Sequence, residues 1–112
     1  MAKLPDPVLT NIFTLQRQII ESIDTTTALE FRLLEQMGET AETLPELEEL
    51  QSIRERLLSP YSRLHTLVLK AAQSQPVAPN DVVNLLYRSI ESTEAALAAS
   101  IASLQEIQRN WN

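Results

Sequence analysis

Cysteine is absent from the 112 residues, which excludes disulfides, thiolate metal sites and a cysteine nucleophile. Glycine occurs once, at Gly38, so no glycine-rich loop can cradle a phosphate. Aromatic residues make up 4% of the chain, with few strand-type aromatic runs. Those shortages favour an all-helical fold over a β fold. No apolar run approaches the roughly 18 residues of a membrane span, and the opening "MAKLPDPVLTNIF" lacks a continuous signal-peptide core. A cytoplasmic protein without membrane insertion is expected. His65 is the only histidine. Carboxylate di-metal bundles need a Glu-x-x-His on each of two helices, so that site cannot be built.

Basic surface is also scarce. The net charge is −6, and residues 35–49 hold six acids (Glu35, Glu39, Glu42, Glu46, Glu48 and Glu49) with no base. The remainder balances to neutrality. No basic face is available for nucleic acid or an anionic membrane, and neither is expected as a partner.

What is present is helical periodicity with punctuation. "PDPV" at 5–8 predicts a helix start, with Asp6 as cap and Pro7 in the first turn; Gly38 predicts its end. "TLPE" at 43–46 has capping-box spacing between Thr43 and Glu46, and "PVAP" at 76–79 stops the second helix. The third opens at Asn80 or Asp81. Helices over about 7–37, 44–75 and 80–111, joined by short links, predict one domain (1–112): an up-down-up antiparallel three-helix bundle. Ser59-Pro60 interrupts the middle helix. Its polar and apolar faces keep their phase across the proline, so a kink is expected rather than two helices.

The same phase test addresses "SIDTTTALEF" (22–31), where an aspartate and three threonines interrupt an amphipathic run. Thr10, Thr14, Arg17, Glu21, Asp24, Ala28, Arg32 and Glu35 form one uninterrupted polar face, which predicts a single continuous helix. Its inward face is expected to carry Leu9, Ile12, Ile19, Ile20, Ile23, Leu34 and Met37. Gln16, Thr26, Thr27 and Glu30 then fall inside the apolar arc, and Arg54 and His65 lie on the shoulder of the second helix's arc. Pairing the helices about residue 40 sets Thr27 opposite Arg54 and Gln16 opposite His65. A carboxylate in that position must be paired, protonated or hydrated. An inner polar seam of Gln16, Thr27, Glu30, Arg54 and His65, centred on a Glu30–Arg54 bridge, is expected.

No catalytic, metal or cofactor set emerges. "ELEEL" (46–50) resembles acidic magnesium sites of nucleotide pyrophosphohydrolases, but it has no second carboxylate pair facing it, and a first turn favours acids anyway. A chorismate-mutase-like bundle needs several inward cations, whereas Arg17, Arg32, Arg63, Lys70, Arg88 and Arg109 fall outward. Helix three offers an uncharged stretch, "AALAASIASLQ" (95–105). Leu97, Ile101 and Leu104 should face the core, while Ala95, Ala99 and Ala102 face outward, flanked by Arg88, Glu91, Glu106 and Arg109. Small residues let another helix approach closely, although alanine is also simply the best helix former. The functional expectation is a non-catalytic protein–protein interaction module, binding a protein partner or self-associating, with a dimer favoured. The alternative is a small-ligand-binding or enzymatic bundle using Glu30, Arg54 and His65.

Overall fold

The computed structural model describes residues 4–111. Within them the chain forms α1 (Asp6–Met37), α2 (Leu44–Gln73) and α3 (Asn80–Trp111). Each helix packs on the other two, giving an elongated three-helix bundle of 57 × 19 × 18 Å.

Helix starts rest on backbone more than on side-chain caps. Pro5 occupies the cap position of α1 and its carbonyl accepts the Val8 and Leu9 amides at 3.0 and 3.2 Å. Asp6 does not cap; it lies in the first turn, where a carboxylate complements the helix dipole. Thr43 makes no capping box either. It is fully buried, its Oγ1 donates to the Gly38 carbonyl at 2.7 Å, and it accepts the Thr40 amide at 2.9 Å. The hydroxyl thus closes the turn between α1 and α2 instead of serving the helix that follows.

Gly38 ends α1, its amide reaching the Leu34 carbonyl at 3.0 Å. Its φ of 71° with ψ of −173° lies in a region open essentially to glycine alone. A Cβ there would meet no atom within 4 Å, so backbone conformation and not space fixes the residue. At the far turn α2 stops at Gln73, two residues earlier than expected, with the Ser74 hydroxyl on the Lys70 carbonyl at 2.7 Å. The Gln75–Pro76 peptide is cis. The Asp81 carboxylate accepts the Val82 amide at 3.0 Å as α3 begins.

Helix α1 runs without a break through "SIDTTTALEF". Threonines are tolerated there because each folds its hydroxyl back onto its own helix. Thr25, Thr26 and Thr27 donate to the carbonyls of Glu21, Ser22 and Ile23 at 2.9, 2.7 and 3.0 Å. Helix α2 is likewise continuous through Pro60, although the proline has no N–H to offer the Arg56 carbonyl. The chain does not divide at Ser59.

Core positions recur at alternating steps of three and four. On α1 they are Ile12, Leu15, Ile19, Ser22, Thr26, Leu29 and Leu33. On α2 the heptad Leu50, Leu57, Leu64 and Ala71 is fully buried, joined by Ile53. On α3 Val82, Leu86, Ser89, Thr93, Leu97, Ser100, Leu104 and Ile107 are buried. This is the spacing of helices that pack close to antiparallel, knobs into holes. Five of the buried positions carry hydroxyls, all small enough for close approach. Thr93 bonds the Ser89 carbonyl at 2.7 Å, while the buried Ser89 Oγ has no hydrogen-bond partner among the described residues.

The helix-one core differs from the expected one. Ile20, Leu34 and Met37 are exposed rather than inward, and Ser22 and Thr26 occupy the buried line instead. The apolar positions of α1 span about 200° of its circumference at roughly 100° per residue, wider than its two neighbours can cover. The bundle buries the half centred on Leu15, Ser22, Thr26 and Leu33. Ile101 on α3 is also exposed, whereas Leu97 and Leu104 are buried as expected. Tyr61, Leu47 and Trp111 are half-buried against the core.

Candidate functional site

Glu30 and Arg54 meet across α1 and α2, with Arg54 Nε donating to Glu30 Oε1 at 3.3 Å. Their side chains keep 20% and 33% of their exposure, so the pair sits in the floor of a groove and not in the core. It is a single contact at the long end of the hydrogen-bond range, weaker than a two-pronged guanidinium–carboxylate fork. The rest of the expected seam does not assemble. Gln16 is half-buried, but Thr27 is exposed and bonds its own helix, and His65 is exposed. Pairing about residue 40 sets Thr27 opposite Arg54, and the residue that meets Arg54 is Glu30, about one turn along the same helix. His65 and Thr27 lie one step further round, past the contact line.

A bridge this accessible should contribute modestly. A double-mutant cycle on Glu30→Gln and Arg54→Gln is expected to give a coupling of about 0.5–1 kcal/mol in denaturant unfolding. Additive losses would remove it as a device that sets helix register.

The outer side of that groove is where apolar residues gather. Phe13, Ile20, Phe31 and Leu34 fall in an arc of about 60° on α1, just beyond Glu30 and away from α3. Leu58 and Leu69 fall just beyond Arg54 on α2, in the mirror position. The α3 side of α1 is marked by Gln18, Ser22 and Thr25, which share an opening with Leu104 and Gln108. The α3 side of α2 is marked by Arg63 and Leu67, which share another with Leu85 and Ser92. The six apolar side chains are 44–68% exposed, and both phenylalanines of the chain are among them, Phe31 at 68%. Met37 and Leu44 extend the strip to the turn, at 46% each.

The sequence reading misses this face because it places Ile20 and Leu34 in the core and assigns Phe13, Phe31, Leu58 and Leu69 to no face. Two signals could have separated them. The unbroken three–four spacing from Ile12 to Leu33 identifies the buried line once Ser22 and Thr26 are allowed in it. The stripe Phe13, Ile20, Thr27, Leu34 repeats every seven residues on a second line of its own.

On α3, Ala95, Ala99 and Ala102 are exposed, as are Arg88, Glu91, Glu106 and Arg109 beside them. Alanine's helix propensity accounts for that strip without any contact. The α1–α2 face differs in kind, since propensity gives no reason for an exposed phenylalanine. The outward cations Arg17, Arg32, Arg63, Lys70, Arg88 and Arg109 are all exposed. Among the described residues no helix is long and apolar enough to cross a membrane. No family model, curated protein or solved structure matches the chain.

Proposed function

We propose that this chain is a non-catalytic protein–protein interaction module whose docking surface is the outer α1–α2 face. One observation carries the reading: the bundle places hydroxyls at buried positions of α1 and leaves Phe13, Ile20, Phe31 and Leu34 in solvent. A fold optimised only for its own stability would rotate α1 to exchange them, because each large apolar side chain moved from water to the interior contributes about 1.5–3 kcal/mol. Patches above roughly 300–600 Å² on a soluble domain mark contact sites.

The groove floor also suits docking better than catalysis. Glu30 and Arg54 engage one another, and His65, exposed on α2, lacks the oriented partners that acid–base chemistry needs. This favours the binding reading over an enzymatic use of Glu30, Arg54 and His65.

Photo-cross-linking in the native host tests the assignment. A benzophenone side chain at Phe31 should yield a protein adduct, and the same group at Ala99 should not. Adducts at 99 alone would return the interface to the alanine strip of α3.

A further inference from the structure

We infer that the occupant of the outer α1–α2 face is a second copy of this chain, docked antiparallel about a two-fold axis. The inference rests on reading that face as a docking surface and adds the partner and its orientation.

Area is the first argument. Six apolar side chains at 44–68% exposure present about 600 Å² at roughly 150–250 Å² for a large side chain. With a polar rim the face approaches the roughly 800 Å² per partner of a stable complex. Two α-hairpins laid face to face cover both stripes at once.

Charge is the second and fixes the direction. Residues 21–58, the half of the α1–α2 hairpin next to its turn, carry ten acids and three bases, a net of −7. The opposite half, residues 6–20 and 59–73, carries one acid (Asp6) and three bases (Arg17, Arg63 and Lys70), a net of +2. A parallel pair would set −7 against −7. With Arg63 on the α3 side of α2 and Arg17 paired to Glu21 at 3.1 Å, the far half of the face is close to neutral, so a two-fold antiparallel pair sets the acidic half of each copy against a near-neutral half, twice over, and avoids that repulsion. Glu30 and Arg54 cancel within each copy and add no net charge to the face.

Symmetry is the third. The α1 stripe runs from Phe13 to Leu34 with a phenylalanine towards each end, Phe13 and Phe31, so reversing the helix superposes apolar on apolar. Burial of the second hairpin would then cover the wide apolar arc that α2 and α3 leave open.

Sedimentation equilibrium on the wild-type chain, near 50 µM, is expected to give twice the 12.6 kDa of one chain. Ile20→Glu with Phe31→Glu should sediment as one chain with unchanged helical circular dichroism, a weakening of at least about 100-fold. The chain has no cysteine, so Glu39→Cys accepts one spin label per copy at the turn. Antiparallel docking places two labels near opposite ends, roughly 45–50 Å apart for helices of about 32 residues. A separation near 20 Å would overturn the orientation. A monomeric wild type, or a double variant that remains dimeric, would overturn the second copy as occupant. In that event the Phe31 cross-link decides the docking reading by itself: an adduct to another protein keeps it, and no adduct removes it as well.

Discussion

Leu57→Ala is expected to lower stability by about 3 kcal/mol, while Leu58→Ala, one residue on, should cost under about 0.5 kcal/mol. Both are leucines, adjacent on the same helix. Leu57 is fully buried between α1 and α3, and Leu58 is 52% exposed on the outer face. Truncation at Leu57 removes the transfer energy of its methyl groups and leaves a cavity that close-packed helices fill only in part. Against a total of roughly 5–15 kcal/mol for a domain of this size, that is a large fraction. The midpoint of thermal unfolding should fall by roughly 12–20 °C. Calorimetry of the two variants at low micromolar concentration measures the contrast. Comparable losses would mean that the helix phase, and with it the outer face, is misplaced.

Pro60→Ala carries the opposite sign. Proline inside a helix costs about 3 kcal/mol through the missing N–H and the clash with the carbonyl four residues back. Alanine restores the bond to the Arg56 carbonyl within an α2 that already runs unbroken from Leu44 to Gln73. Part of the gain is offset because proline also restricts the unfolded chain, by up to about 1 kcal/mol. The expected net effect is a stabilisation of about 1–2 kcal/mol, read as a rise in the denaturation midpoint. A loss instead would show that α2 must bend at Pro60 to follow its neighbours, so that straightening it spoils the fit of Leu57 and Leu64.

Element existence was legible in the sequence because the stop signals are strong. Gly38 and the "PVAP" segment end helices for backbone reasons that tertiary contacts seldom override. The Glu30–Arg54 contact was legible because burial of a carboxylate leaves few options and antiparallel pairing fixes the level along the bundle. Capping chemistry at Asp6 and Thr43 was not, since both side chains had a second use available: one the first-turn dipole, the other the turn carbonyl of Gly38. The rotation of α1 was the largest miss. Ile20 and Phe31 are more apolar than Ser22 and Thr26, so any argument from hydrophobicity alone turns the helix by about 75°. Packing chose small side chains at the contact line because they allow the helices to approach, and the Thr26 hydroxyl stays bonded to the Ser22 carbonyl of its own helix. The apolar excess was thereby moved outward, and that displacement is the functional signal.

The central claim is that the outer α1–α2 face serves a partner and contributes nothing to the fold of the single chain. Denaturant unfolding of Phe31→Glu at submicromolar concentration, where association is negligible, tests it most directly. Phe31 is 68% exposed, and glutamate is at least as good a helix former. The account predicts a midpoint within about 0.5 kcal/mol of the wild type and an unchanged slope. A loss of about 2 kcal/mol or more would place Phe31 in the core of the monomer and contradict it.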